Sequence, residues 1–386
     1  MIGNGFKTAM KIIYIVRSLH PVGGIERTLS DKANWMASHG HQVMFVTYMQ
    51  GNDGIYFPLD KRVKLYDLAC STFSLYKHPV YSRFFHFRKL QNRLRERLKI
   101  VLDDFSPDVV VVAIPSAEDF VWDLIKVTQN AKIIIESHVA FDYFLMGKSF
   151  TDRLLYMLFP PLKAIRKANM LIALTEHDAS CWRRHRVKNV QVVPNPVSYF
   201  ADCINDIKKE RCRIIAVGRL ASQKRFDRLI EAFSLISNRY QEWYIDIYGE
   251  GELREILKNL ITLKGLTGRV NLLNFIQDIY TEYKRSQFIV LSSDYEGFGL
   301  VIIEAMACGI PVVSTDCPFG PSDIIDSGIT GLLAKMEIED LAEKMEWMIS
   351  HEEERRMMGE NAYKKAAQFR KEVIMPRWEE VYMDLI

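Results

Sequence analysis

Phe288-Ile289-Val290-Leu291-Ser292-Ser293-Asp294-Tyr295-Glu296-Gly297-Phe298-Gly299 runs directly into Leu300-Val301-Ile302-Ile303-Glu304-Ala305-Met306-Ala307-Cys308 and stops at Gly309-Ile310-Pro311. The first four residues predict a buried strand, and the spacing over 300–308 predicts a helix closed by glycine and proline. A strand passing through a glycine-bearing loop into a helix is the repeating unit of parallel sheets. Glu296 falls on the loop and Glu304 about a turn into the helix, with seven residues between them. Both carboxylates can reach a ligand lying over the helix N-terminus. There Gly297 and Gly299 leave the backbone amides of Phe298, Gly299 and Leu300 open to an anion. Carboxylates accept hydrogen bonds from paired sugar hydroxyls, each worth ~1.5–3 kcal/mol when charge-assisted. Glu304 sits between Ile303 and Ala305, so its burial requires a partner.

The same grammar extends in both directions. Short β-branched runs at 12–16, 43–47, 109–114, 132–136, 170–175 and 190–193 form one series. A second follows at 213–217, 244–248, 270–273, 288–291 and 311–314, with helical spacing at 225–236, 252–263 and 338–349. Continuous apolar character fits strands covered on both faces. The fold class expected is α/β, with two Rossmann-like, doubly wound parallel-sheet domains whose strand ends face a shared cleft. Asn195-Pro196-Val197 and the polar stretch 201–211 read as the linker. The expected division is 1–195, 196–370, and a C-terminal segment 371–386 that carries a helix and returns to the N-terminal domain.

Two further strand ends carry candidate chemistry. His20-Pro21-Val22-Gly23-Gly24-Ile25-Glu26-Arg27 places a glycine pair at a strand-to-helix junction, either an anion site or a plain tight turn. It is not G-x-G-x-x-G, so no dinucleotide cofactor is indicated. Gly218-Arg219-Leu220-Ala221-Ser222-Gln223-Lys224 places two cations after the strand at 213–217. They suit a diphosphate, or else form a solvated pair on a loop.

Composition bounds the rest. The 386 residues suit two domains, and 48% apolar with 26% charged describes a globular chain. Apolar runs such as 109–114 and 154–162 are far shorter than a membrane span, and 12–16 followed by Arg17 is no secretory signal. Six scattered cysteines, with no C-x-x-C, fit a reducing cytoplasm and no zinc cluster. The net charge of +3 conceals an asymmetry: residues 1–188 hold 27 basic against 17 acidic side chains, and 189–386 hold 24 against 31. A basic half faces nucleic acid, an anionic membrane or a phosphorylated substrate.

The run from Glu296 to Glu304 resembles the E-x7-E motif of retaining glycosyltransferases of the GT-B fold, and more narrowly the family 4 group of bacterial surface-polysaccharide type. Gly23-Gly24-Ile25-Glu26-Arg27 resembles that family's N-terminal glycine loop, and Ser137-His138 its strand-end histidine. Pro194-Asn195-Pro196-Val197 resembles the entry to its second domain. Gly218-Arg219-Leu220 with Lys224 resembles its diphosphate-binding pair, and Ala307-Cys308-Gly309-Ile310-Pro311 its helix-to-strand turn. The resemblance spans nearly the whole chain. Two positions depart from it: Arg225 and Asn274 stand where glycine is common.

The resemblance implies transfer of a hexose or N-acetylhexosamine, with retention, from a nucleotide-diphosphate sugar with uridine as the default base. The acceptor would be a glycan or a polyprenyl-diphosphate-linked glycan. It implies Glu304 on the ribose, Glu296 on the donor sugar, and Arg219 and Lys224 on the diphosphate. His138 would approach the transferred sugar, the backbone of Phe275 and Ile276 would face the base, and Gly23 and Gly24 would complete the donor site. No metal and no cofactor are expected. A nucleotide-sugar epimerase and a non-catalytic nucleotide-sugar-binding subunit are the competing readings.

Residues 77–99 hold eight basic side chains and only Glu96 as an acid, with Tyr81, Phe84, Phe85 and Phe87 interleaved. Such a segment fits peripheral association with the cytoplasmic face of an anionic membrane, a solvated helix or, least well, single-stranded nucleic acid. No nucleic-acid partner is expected. His39, His41 and His351 are expected at the surface.

Overall fold

The computed structural model of the protein describes residues 9–72, 78–117, 120–128, 130–142, 161–202 and 212–386. Lys77, nearly all of the apolar run 154–162 and most of the stretch 201–211 lie outside them. The chain divides into two compact units, Met1–Val193 with Met375–Ile386, and Pro194–Ile374.

In the first unit β1 (Lys11–Val16), β2 (Gln42–Thr47), β3 (Lys64–Asp67), β4 (Val109–Ile114), β5 (Lys132–Ser137), β6 (Met170–Ala173) and β7 (Val190–Val192) form one sheet. Its order is β3-β2-β1-β4-β5-β6-β7, parallel throughout. Every residue of β4 is buried, as a strand covered on both faces requires. Helices α1 (Gly24–Ser38), α2 (Val80–Phe105), α3 (Val121–Val127), α4 (Pro161–Ile165) and α5 (Glu176–Arg184) connect the strands. Strand order turns back between β1 and β4. The sequence pattern omits β3 because it is an edge strand with Leu65 and Tyr66 exposed.

In the second unit β8 (Arg213–Val217), β9 (Tyr244–Tyr248), β10 (Val270–Leu273), β11 (Phe288–Leu291), β12 (Val312–Thr315) and β13 (Gly331–Ala334) form a parallel sheet of order β10-β9-β8-β11-β12-β13. Its helices are α6 (Phe226–Ile236), α7 (Arg254–Leu263), α8 (Ile279–Arg285), α9 (Leu300–Ala307), α10 (Pro321–Ile324), α11 (Ile338–Ser350) and α12 (Glu352–Ala366). Leu229, Ile230 and Phe233 of α6 share a core with Met345 and Met348 of α11. Here too the strand absent from the sequence pattern, β13, is an edge.

The last helix, α13 (Lys371–Met383), sends Trp378 and Tyr382 fully buried into the first unit. Lys32 Nζ stands 3.1 Å from the centroid of the Trp378 ring, and Tyr382 donates to Glu136 at 2.6 Å. His41 is not at the surface: it is 5% exposed, Nδ1 accepts from the Met10 amide, and Nε2 meets Glu379 of α13 at 3.1 Å. A histidine between Gly40 and Gln42 at the start of a strand reads as exposed; α13, distant in sequence, is what covers it. Among the described residues no helix is long and apolar enough to cross a membrane.

Candidate functional site

The order of the second sheet reverses between β8 and β11, and open parallel sheets bind ligands outside their carboxyl ends at such a switch. The loops after these two strands carry Gly218 to Lys224 and Ser292 to Gly299. They are stitched together: Asp294 N–H donates to Gln223 O at 2.9 Å, Gln223 Nε2 to Tyr295 O at 2.9 Å, and Ser292 Oγ to Lys224 O at 2.8 Å. Lys224 Nζ then lies 2.7 Å from Glu296 Oε1, and Ser293 Oγ donates to the same oxygen at 2.6 Å. Glu296 is only 5% exposed, so this pair answers its desolvation. Among the described residues both bonds fall on Oε1, which leaves Oε2 as an acceptor. Arg219 is exposed at the end of β8.

Glu304 lies inside α9 and is also 5% exposed. The partner its burial demands is supplied by α8: Tyr283 donates to Oε2 at 3.2 Å and Tyr280 to Oε1 at 3.4 Å. Burial, and then the Glu304 charge, raise the Tyr283 hydroxyl well above its ordinary range, so it stays a donor. Burial likewise pushes the Cys308 and Cys317 thiols up to about 12, so neither serves as a thiolate nucleophile at neutral pH.

Backbone geometry at the N-terminus of α9 depends on two glycines. Gly299 caps the helix at φ 85°, left-handed, where a side chain would be strained. Gly320 has φ 109°, and a Cβ there would stand 2.4 Å from the Phe298 carbonyl oxygen. The loop after β12 therefore packs directly on the helix start, and Phe298 is buried against Phe369. The first amides of α9 have no intrahelical acceptor, which makes them donors for an anion.

Arg225 explains one departure from the family pattern. Its φ is 46°, the left-handed conformation that glycine adopts freely. The arginine compensates through Asp227 at 2.9 Å and Asp294 at 3.2 Å. Phe275 and Ile276 follow β10; Phe275 is exposed and Ile276 half-buried.

The remaining candidates belong to the first unit. Gly23 caps α1 without a side-chain bond, and Gly24 is the first exposed helical residue. His138 follows β5, and its amide extends the ladder to Ile114 O at 3.0 Å. Its side chain is 2% exposed, with Nε2 2.9 Å from Glu136 Oε2. The second unit thus brings together Lys224 and Glu296 and holds Glu304 through α8, while Gly23, Gly24 and His138 are placed within the first. Ser293, Tyr280, Tyr283 and Glu136 escape the sequence reading. Only Ser293 carries a signal, standing three residues before Glu296. Among the described residues no group of three His, Cys, Asp or Glu side chains could hold a metal ion.

Comparison with known proteins follows this division. Residues 22–199 match Glycosyltransferase Family 4, and residues 202–365 match Glycosyl transferases group 1. An uncharacterized glycosyltransferase of Haemophilus influenzae is 27% identical, over 96% of this chain and 99% of that protein. The alpha-1,4-N-acetyl-D-galactosaminyltransferase of Campylobacter jejuni that acts on GalNAc-alpha-(1->4)-GalNAc-alpha-(1->3)-diNAcBac-PP-undecaprenol is 26% identical, over 96% of this chain and 97% of its own. A mutant of S. aureus TarM, crystallised with fondaparinux, alpha-GlcNAc-glycerol and UDP, has the same fold with a TM-score of 0.77 and 17% identity, covering 97% of this chain and 99% of that one. The chain belongs to the GT-B glycosyltransferases, its first half of the family 4 type and its second of group 1.

Proposed function

We propose that the protein transfers a hexose or N-acetylhexosamine, with retention, from a UDP-sugar to a hydroxyl of a glycan or lipid-linked glycan in surface-polysaccharide or glycolipid synthesis. The observation that carries this reading is the Lys224–Glu296–Ser293 cluster at the β8/β11 switch, with Glu304 held on the helix that follows. A lipid-diphosphate-linked acceptor for the Campylobacter relative and UDP bound to TarM support the substrate classes. Residues 196–370 are assigned to the donor and 1–195 to the acceptor.

Departure of the nucleotide diphosphate develops negative charge on the distal phosphate. Arg219 supplies a planar fork, Lys224 a point charge, and the α9 amides further donors, with Lys224 and the amides preorganised for that charge without a metal ion. Glu296 Oε2 accepts a donor-sugar hydroxyl and Glu304 the ribose hydroxyls, while the backbone at Phe275 and Ile276 faces the base. His138 contacts the transferred sugar, and Gly23 and Gly24 line the donor site. The incoming hydroxyl attacks the face that the diphosphate leaves, which retains the anomeric configuration. Release of UDP from a panel of UDP-sugars, with and without glycan acceptors, tests this. Acceptor-dependent release with an axial product linkage from an axial donor is expected; an epimerised nucleotide sugar, or no turnover with any donor, would refute it.

Glu304→Ala is expected to weaken UDP about ten- to a hundredfold, because the ribose loses a charged acceptor worth ~1.5–3 kcal/mol. Calorimetric titration with UDP reads it, and an unchanged dissociation constant removes Glu304 from the donor site.

Membrane association belongs to the same proposal. On α2, Phe84 and Phe85 are exposed, as are Arg88, Lys89 and Arg93. Not all of the segment is available. Phe87 is buried against Phe120, Arg95 pairs with Asp123, and Arg97 donates to Leu68 O. Interfacial cations contribute ~1 kcal/mol each and are screened within about 10 Å at 0.1 M salt. The protein should sediment with anionic vesicles at low salt, and Arg88→Gln with Lys89→Gln and Arg93→Gln should release it without altering UDP binding. Wild-type protein that stays in the supernatant points to a soluble acceptor.

A further inference from the structure

We propose that Glu136 is a positioning residue for His138, fixing the ring as the tautomer protonated on Nε2, so that Nδ1 serves the substrate only as an acceptor. This rests on the reading of His138 as a group that touches the transferred sugar. Glu136 is the fifth residue of β5 and His138 follows two positions on, still in the ladder with β4, so both side chains leave the strand on one face.

The groups around the carboxylate decide where the proton sits. Lys32 of α1 donates to Oε2 at 2.8 Å, Tyr382 of α13 donates to Oε1 at 2.6 Å, and His138 Nε2 stands 2.9 Å from Oε2. Tyr14 of β1 closes the cluster, its hydroxyl 3.4 Å from that of Tyr382. Lys32, Glu136 and the His138 ring are almost completely buried. An ionised carboxylate has no proton to give, so a ring nitrogen facing it must be the donor. Burial favours the neutral carboxyl, but the Lys32 ammonium at 2.8 Å and the His138 contact outweigh it and hold the group below its ordinary range, which keeps it ionised.

Charge balance then fixes the ring as neutral. Lys32 already compensates Glu136, and burial, with the Lys32 charge adding to it, lowers His138 below its ordinary value although Glu136 opposes this. A neutral imidazole with its proton on Nε2 keeps a lone pair on Nδ1. Such a ring accepts a hydrogen bond from a sugar hydroxyl and cannot donate one at that atom. Four elements of the first unit thus set the state of one side chain.

Ring 15N NMR on the full-length wild-type protein tests the proton placement without any substrate, with His138→Gln used to assign the signal. Expected are a protonated Nε2 and a bare Nδ1 from about pH 6 to 8; a ring protonated on Nδ1, or on both nitrogens, at neutral pH overturns the proposal. Glu136→Gln should abolish the tautomer preference and lower kcat for UDP release from UDP-N-acetylglucosamine about a hundredfold or more, the scale of a misplaced proton. KM should stay near the wild-type value, the pH–rate profile should shift, and Glu136→Asp should restore part of the rate. Should Glu136→Gln fail to fold, the double variant Lys32→Met, Glu136→Gln removes both charges together and is read in the same way. A variant that keeps both tautomer and kcat overturns the proposal. The expected wild-type tautomer together with full activity of His138→Gln refutes the catalytic reading of His138 and, with it, a positioning role for Glu136, leaving only the proton assignment.

Discussion

Lys224→Ala is expected to lower kcat about 10²–10³-fold, the loss of ~3–4 kcal/mol seen when one preorganised donor to a developing anion is removed. The ammonium lies at the switch point between β8 and β11, anchored through Glu296 and the Ser292–Lys224 backbone contact. Its fixed position means that little reorganisation is needed when the diphosphate departs. Folding should survive, because Lys224 is partly exposed and Ser293 still donates to Glu296 after the substitution. Arg219→Ala should act in the same direction. Excess chelator should leave the rate unchanged, since the charge is met by side chains and amides. Initial rates of UDP release measure all three; a Lys224→Ala enzyme within about threefold of wild type, roughly 0.7 kcal/mol, would remove the lysine from the mechanism.

Lys32→Met is expected to destabilise the first unit by ~3–5 kcal/mol, the cost of leaving one member of a buried ion pair without its counter-charge. Both side chains are fully buried and 2.8 Å apart, so solvent cannot take the place of the lost ammonium. Cation–π contact with Trp378 is lost as well, which loosens the seat of α13. At about 2–4 °C per kcal/mol for a unit of this size, its thermal transition should fall by about 10 °C. Lys32→Met, Glu136→Gln should recover much of that loss, because no charge is then stranded. Calorimetry distinguishes the cases; a single variant as stable as the wild type would mean that Glu136 is not ionised in the folded protein.

What the sequence made legible follows from how each element is buried. Central strands such as β4 and β11 are covered on both faces and show as unbroken apolar runs. The edges β3 and β13 lack that signature, because one side of each meets solvent. Glu296 and Glu304 stand out through their seven-residue spacing from a loop into a helix, and Arg219 and Lys224 as two cations in the loop after a buried strand. Their supports do not stand out. Tyr280 and Tyr283 look like ordinary core aromatics until α8 is seen against Glu304, more than twenty positions away in the chain. Lys32 reads as one surface lysine among many, and its partners Glu136 and Trp378 stand more than a hundred positions away in the chain. His41 misleads for the same reason, since α13 covers it. Arg225 departs from the family's glycine, yet its left-handed backbone shows why glycine is common there, and its two carboxylate partners show how arginine is accommodated.

The most direct test of the central claim, that the cations at the β8/β11 switch hold the diphosphate, compares UDP with uridine on wild-type and Lys224→Ala protein at one ionic strength. Calorimetric titration yields four dissociation constants, and their ratio isolates what the lysine contributes to the phosphates alone. UDP should bind the wild type far more tightly than uridine does, and Lys224→Ala should erode that advantage about tenfold or more while the uridine constant stays unchanged, as expected for loss of a charge-assisted contact. An advantage of UDP over uridine that survives the substitution intact would contradict it.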